Sequence, residues 1–284
     1  MEIKKIGVIG LGVMGGGIAQ VLSEAGFYVI AYDINDEIIS KALKQIERMV
    51  RIAVRLKRIS SDEQDSVLKR LSTTTNLAGF KDIHFIIEAA PENVNLKKDI
   101  FKKLDEICNP ETIFATNTSS LSVTEIASST NRQDKFVGLH FFNPPTETQL
   151  VEVVKALKTS DETFNAAFEL VKQFKKVPIE AKDTPGFIVN RLMVPFLNEG
   201  ARMVEEGVAT AEEIDRAWRL ATGMPKGPLE LIDLIGTDVA TLVSESMYRE
   251  FRASRFHSPP ILRQLVRAGF LGKKSGRGFY NYSK

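Results

Sequence analysis

The 284 residues predict an α/β domain with a mostly parallel sheet, followed by an all-α domain. From residue 3 to about residue 180, short β-branched runs alternate with stretches of helical period, the signature of a parallel sheet with helices on its faces. A glycine-rich turn joins the first run to the first helix. After Asp183-Thr-Pro-Gly186 the β-branched runs become rare and helical patterning takes over, which divides the chain into domains at 1–183 and 184–284.

Strands are expected at residues 3–9, 28–33, 83–88, 113–117, 136–141 and 150–154, with helices between most of them. A helical insertion fills about 36–70. Asn76-Leu-Ala-Gly79 and Asn131-Arg-Gln-Asp134 read as loops, and Ser122-Val-Thr-Glu125 as the capping-box start of a short helix. Residues 187–208, 211–222, 235–251 and 260–268 carry the helical pattern of the second domain.

The charges nearly cancel, 38 Lys+Arg against 36 Asp+Glu, which argues against nucleic acid or a membrane surface as partner for the whole molecule. The single Cys108 cannot close an intramolecular disulfide, and no Cys/His cluster has metal-ligand spacing, so no metal is expected and a reducing cytoplasm fits. Lys4-Lys5 precedes an uncharged stretch to Ser23, but six glycines interrupt it and it runs directly into the next strand pattern. It reads as folded protein rather than an export signal.

Gly10-Leu-Gly12-Val13-Met14-Gly15 is G-x-G-x-x-G after a strand and at the opening of a helix. The first Gly permits the turn, the second lets the backbone approach a pyrophosphate, and the third lets the helix pack closely. Asp33 ends the next strand eighteen positions beyond Gly15, where a carboxylate takes ribose hydroxyls. This is a Rossmann-type dinucleotide site. Asp33 repels a 2′-phosphate and Ile34-Asn35 offers no arginine, so NAD is favoured over NADP.

His84 lies inside a strand pattern and His257 in a proline-rich loop, which marks both as structural. His140 falls at the carboxyl end of a strand, the side on which open parallel sheets bind ligands. Glu152 interrupts Leu150-Val-Glu-Val-Val154. Either it points to water from an edge strand, or it pairs with His140 and fixes the imidazole tautomer for proton transfer. Thr116-Asn117-Thr-Ser119-Ser120 follows another strand, so its hydroxyls, that of Ser119 among them, can face the same crevice, and Asn117 is counted with the cofactor-binding residues.

These motifs, together with Gly138-Leu-His-Phe-Phe-Asn-Pro144, Asp183-Thr-Pro-Gly-Phe-Ile-Val-Asn-Arg191 and Gly227-Pro-Leu-Glu-Leu231, resemble those of the L-3-hydroxyacyl-CoA dehydrogenases from residue 3 to Tyr282. The resemblance implies a catalytic set of Ser119, His140, Glu152 and Asn190, with His140 as the acid/base, Glu152 orienting it, and Ser119 and Asn190 on the substrate oxygens. It also implies that Glu92, Lys97 and Asn143 line the cofactor site, that Lys274 reaches it from the C-terminal tail, and that the site draws on both domains. A homodimer through the helical domain and short-chain acyl-CoA substrates are implied as well. Pro145-Thr-Glu-Thr-Gln149 departs from the more apolar family pattern and leaves acyl-chain length open.

Lys41, Lys44, Arg48, Arg51, Arg55 and Arg58 recur at helical spacing, with Glu47 the only acid between them. Ala42, Ile46, Met49, Ala53 and Leu56 are placed to pack. A solvated stripe is one explanation. The other is coenzyme A, whose tail the family seats beside this helix, with Arg51 and Arg55 on its phosphates. Two alternatives to an acyl-CoA dehydrogenase are a dehydrogenase of CoA-free hydroxy acids of the gulonate type and a dinucleotide-binding protein without turnover.

Overall fold

The computed structural model describes residues 3–283. The chain divides into two compact units, Met1–Thr184 and Pro185–Lys284. The first unit runs β1 (Lys5–Ile9), α1 (Val13–Glu24), β2 (Tyr28–Tyr32), α2 (Asp36–Arg55), α3 (Ser61–Lys69), β3 (Leu71–Thr74), β4 (Phe85–Glu88), α4 (Val94–Ile107), β5 (Ile113–Thr116), α5 (Val123–Ala127), β6 (Phe136–Phe141), β7 (Leu150–Lys155), α6 (Asp161–Gln173) and β8 (Val177–Lys182). The strands form one sheet in the order β3-β2-β1-β4-β5-β6-β7-β8. Every neighbouring pair is parallel except β6 and β7.

Strand order reverses between β1 and β4, and a ligand crevice opens beyond the carboxyl ends of strands at such a point. Ile18, Ala19 and Leu22 of α1, Ile39 and Ala42 of α2, and Ala167, Leu170 and Val171 of α6 are buried in one core with residues of the sheet. Phe101 of α4 makes ring contacts with Phe114 and Phe136 in a second packed cluster. Both faces of the central strands are covered, which is why those strands read as unbroken apolar runs.

Two strands lie outside the expected set. Leu71–Thr74 is short, polar and at the sheet edge; Val177–Lys182 contains Pro178, which a central strand does not tolerate but an edge strand does. The second one matters for the site, because β8 pairs with β7 and makes β7 an interior strand.

Asn35 caps α2 by accepting the Ile38 N–H, and Asp36 and Glu37 in the first turn complement the helix dipole. The helix ends at Arg55, and Lys57 adopts a φ of 56°. Arg58 therefore lies past the helical face on which its spacing had placed it. Leu56, expected to pack, is 57% exposed. Ser60 and Glu63 close a reciprocal capping box on α3. The box expected at Ser122 is half formed: Ser122 Oγ accepts the Glu125 N–H, but the Glu125 carboxylate binds Lys98.

The second unit contains α7 (Val189–Glu205), α8 (Ala211–Thr222), α9 (Pro228–Ile235), α10 (Thr237–Phe251) and α11 (Pro260–Arg267). The helix expected at 235–251 is α10, which starts at Thr237 because Gly236, with a φ of 104°, separates it from α9, a helix outside the expected set. Leu197, Ala201, Ile214, Leu229 and Ile232 form its core. Two buried acids fasten the tail: Asp233 accepts the N–H groups of Phe279 and Tyr280, and Asp215 accepts the Tyr280 hydroxyl and the N–H groups of Leu229 and Glu230. Burial and the bond to Asp215 push the Tyr280 phenol well above its ordinary range.

Candidate active site

The glycine turn between β1 and α1 has the form its sequence requires. Gly10 takes a φ of 91°, and a Cβ on Gly15 would lie 1.7 Å from the Gly10 carbonyl oxygen. A Cβ on Gly12 would meet nothing within 4 Å. The first and third glycines are thus demanded by the fold, whereas the second keeps open a space above the backbone at the start of α1. That space, with the amides of Val13 and Met14 at the helix N-terminus, suits a pyrophosphate. Asp33 Oδ2 accepts the Leu11 N–H at 2.7 Å, so the acid that directly follows β2 also braces this turn.

His140 and Glu152 are register partners on the antiparallel pair β6 and β7, which sets their side chains opposite each other on one face. His140 Nδ1 lies 2.6 Å from Glu152 Oε2, with the residues 4% and 0% exposed. Glu152 is fully buried and β7 is an interior strand paired on both edges, so the solvent-facing, edge-strand alternative for Glu152 is excluded. The His140 ring also packs on Phe142, centroids 4.4 Å apart. A carboxylate on Nδ1 leaves proton transfer to Nε2.

Asn117 joins this pair to the next loop: its Oδ1 accepts the N–H of Phe141, the residue after His140. Glu92 Oε1 then gathers Thr118 Oγ1 and the N–H groups of Ser119 and Ser120, which fixes the loop that carries Ser119. Lys97, expected to line the cofactor site, is 1% exposed and binds Glu88, the Ala90 carbonyl and, at 3.5 Å, Glu92.

A cavity of about 530 Å³ adjoins the glycine turn, lined by Gly12, Val13 and Gln20 of the α1 segment, by Lys41, Gln45 and Met49 of α2, and by the loop holding Asn143. Arg51 and Arg55 do not line it; both are exposed on another face of α2. The sequence reading overlooked the cavity's α2 wall, although Ile38, Lys41, Ala42, Gln45, Ile46 and Met49 follow helical spacing. Among the described residues none of Lys41, Lys44, Arg48, Arg51 and Arg55 forms an ion pair. In the second unit Asn190 is buried in α7, and Lys274 pairs with Asp238 at 2.6 Å. His84 accepts the Lys4 N–H through Nδ1, and His257 stacks edge-on against Tyr248.

Comparison with known proteins places these features. The NAD-binding domain of 3-hydroxyacyl-CoA dehydrogenase matches residues 5–184, and the C-terminal domain of 3-hydroxyacyl-CoA dehydrogenase matches residues 186–282. The chain belongs to the 3-hydroxyacyl-CoA dehydrogenase family. It is 44% identical to a 3-hydroxybutyryl-CoA dehydrogenase of Clostridioides difficile, over 99% of this chain and 100% of that one. It is 41% identical to the human mitochondrial hydroxyacyl-coenzyme A dehydrogenase, over 99% of this chain and 91% of that one. The crystal structure of an (S)-3-hydroxybutyryl-CoA dehydrogenase from Ralstonia eutropha superposes with a TM-score of 0.96 at 40% identity, covering all of both chains. Membership brings an oxidoreductase that uses NAD(H), and the open cradle above Gly12 fits that cofactor. Among the described residues no helix is long and apolar enough to cross a membrane.

Proposed function

We propose that the chain is a 3-hydroxybutyryl-CoA dehydrogenase that interconverts short-chain (S)-3-hydroxyacyl-CoA and 3-ketoacyl-CoA, with NAD preferred over NADP. The observation that carries this is the buried His140–Glu152 pair beside the Ser119 loop, at the carboxyl end of β6. The bound nicotinamide supplies the hydride acceptor. In the oxidative direction His140 Nε2 takes the proton of the 3-hydroxyl as hydride leaves C3, so two electrons and two hydrogens depart together. Glu152 on Nδ1 holds the tautomer and stabilises the imidazolium. Ser119 and Asn190 hydrogen-bond the substrate oxygens and keep C3 and its hydroxyl in line. Gly12, Val13 and Met14 hold the pyrophosphate and Asp33 the ribose, with Asn117, Asn143 and Lys274 as further cofactor contacts.

Coenzyme A is assigned to α2, with its pantetheine arm against the apolar wall of the cavity that Lys41 lines and its phosphates outside the cavity, on the exposed side of the helix, where Arg51 and Arg55 lie. The unpaired cations of α2 support an anionic substrate and disfavour a CoA-free hydroxy acid. Exposed Leu192, Leu220 and Leu242 on the helical unit, 73%, 77% and 54% accessible, support its pairing with a second copy, which sedimentation tests. A reducing cytoplasm suits the lone buried Cys108.

The test is an assay of NADH and NADPH oxidation with acetoacetyl-CoA, longer 3-ketoacyl-CoA esters and free 3-keto acids. Turnover with NADH and acetoacetyl-CoA is expected to dominate, and H140A is expected to lower kcat by about 10²- to 10⁴-fold. Equal turnover of the free acids would overturn the assignment.

A further inference from the structure

Seating the phosphates of coenzyme A on Arg51 and Arg55 leaves Lys44, Arg48 and Arg58 without a task. All five are exposed. Among the described residues none of them forms an ion pair, although Asp62, Glu63 and Asp65 of α3 follow soon after in the chain. From Lys41 to Arg55 the helix rises roughly 21 Å at 1.5 Å per residue, and like charges along one helical face repel. The basic track continues past the helix end. Burial, opposed by Glu24 and reinforced by the charge of Arg58, holds the Lys176 ammonium below its ordinary range.

Coenzyme A does not use such a track fully, because its phosphates carry roughly four negative charges gathered at one end of the molecule. A longer polyanion fits the face better. The cavity says what that polyanion must carry. Lys41 belongs both to the basic stripe and to the cavity rim, and the same cavity is lined by Asn143, three residues beyond His140. A pantetheine arm suits its α2 wall, where Ile38, Ala42, Ile46 and Met49 are apolar. Such an arm occurs in two chemical settings: on adenosine diphosphate in coenzyme A, and on a serine of a small acidic carrier protein. The thioester end is the same in both, and only the group beyond the phosphate differs.

We propose that α2 is a docking face for an acidic acyl carrier protein, whose acidic helix lies against Lys44 and Arg48 and reaches toward Arg58, while its phosphopantetheine arm enters the cavity past Lys41. The chain then reduces carrier-bound 3-ketoacyl thioesters as well as coenzyme A esters. The chemical step is unchanged: hydride passes from NADH to C3, a proton passes to the oxygen, and the thioester stays intact. The proposal rests on the dehydrogenase function assigned to the chain and extends it to a second form of substrate.

The experiment follows NADH oxidation with acetoacetyl-CoA and with a bacterial acyl carrier protein loaded with an acetoacetyl group, in the wild type and in K44E/R48E/R58E. Thermal unfolding confirms the fold of the variant. The wild type is expected to turn over both substrates. The variant is expected to raise KM for the carrier substrate about 30-fold or more and KM for acetoacetyl-CoA about threefold or less, with kcat for acetoacetyl-CoA retained. The carrier protein without its arm is expected to compete with acetoacetyl-CoA in the wild type and not in the variant. Absence of turnover with the carrier substrate, or an equal rise of both KM values, would overturn the proposal. So would binding to phosphatidylglycerol vesicles without carrier turnover, which gives the face to a membrane. Should the triple variant not fold, K44Q/R48Q is read in the same way. A wild type that does not turn over acetoacetyl-CoA would count against the dehydrogenase function itself, and calorimetric titration with the armless carrier would still report on docking.

Discussion

A hydrogen bond of 2.6 Å between His140 and Glu152 exists because two residues twelve apart in sequence face each other across one antiparallel pairing in a sheet that is otherwise parallel. The contact is set by register, so replacing the carboxylate with its amide keeps the shape and loses the charge. E152Q is expected to fold normally and to lose about 10²-fold or more in kcat with little change in KM for acetoacetyl-CoA; steady-state kinetics beside thermal unfolding checks this. His140 was legible in the sequence because the end of an apolar run is a readable place. The environment of Glu152 was not, because β7 reads as an edge strand unless β8 is seen beside it, and Pro178 hides β8 from any periodicity argument. Cys108 gives a second test at this scale. Burial pushes its thiol up to about 11 from 9.0. At pH 8 it should resist alkylation until the protein unfolds, as thiol titration with and without denaturant would show. The raised value favours the neutral thiol in the folded state, so its contribution to stability is whole below about pH 9 and is lost as pH rises toward 11. Rapid alkylation of the native protein at pH 8 would contradict this.

Elements differ in how completely their sequence declares them. The β1–α1 unit could be read down to the role of each glycine, because G-x-G-x-x-G encodes three separate steric demands. Those demands predict opposite outcomes for two alanine substitutions. G12A adds a methyl group to open space, so stability should hold while NADH affinity falls, since the methyl stands where the pyrophosphate approaches. G15A puts a Cβ 1.7 Å from the Gly10 carbonyl, so the turn itself must rearrange and the unfolding temperature should drop. Calorimetry with NADH titration separates the two, and equal stability loss in both would refute the division of roles. The region after α4 was far less legible. Arg132 lies in what reads as a plain loop, yet it is buried, pairs with Asp105 and donates to the carbonyls of Asp105, Cys108 and Asn109, which closes the carboxyl end of α4. R132M would take the guanidinium from Asp105 Oδ1 and from those carbonyls, leaving the buried carboxylate without its cation, at a cost of about 3–5 kcal/mol, measurable by urea unfolding. Such a long-range cap leaves no periodic trace in sequence. The same holds for Asp183, which accepts the N–H groups of Val123 and Thr124 at the start of α5 from sixty residues away.

At the scale of the whole molecule, a net charge of +2 conceals a division. Residues 41–58 hold seven Lys/Arg and one Glu, a local +6, which leaves the rest of the chain at −4. The structure confines most of that excess to the exposed side of α2, beside the cavity that Lys41 lines, and among the described residues no carboxylate forms an ion pair with those cations. A field of this kind acts over about one Debye length, roughly 10 Å at 0.1 M salt. It should therefore attract the phosphates of coenzyme A strongly at low ionic strength and weakly at high. The KM for acetoacetyl-CoA is expected to rise steadily with added salt. R51E/R55E is expected to raise that KM at low salt by about tenfold or more and to flatten its salt dependence, because reversed charges have no attraction left to screen. K41E, at the cavity wall, should do the same, with kcat retained in both variants once the substrate saturates. The cofactor provides the internal control: in the proposed site NADH meets the glycine turn through backbone amides, so its KM should follow salt less steeply. If KM for acetoacetyl-CoA stayed constant in R51E/R55E but rose in K41E, the phosphates would belong to the cavity wall and the two arginines to solvent. If it stayed constant in both, the basic helix would have no part in substrate binding.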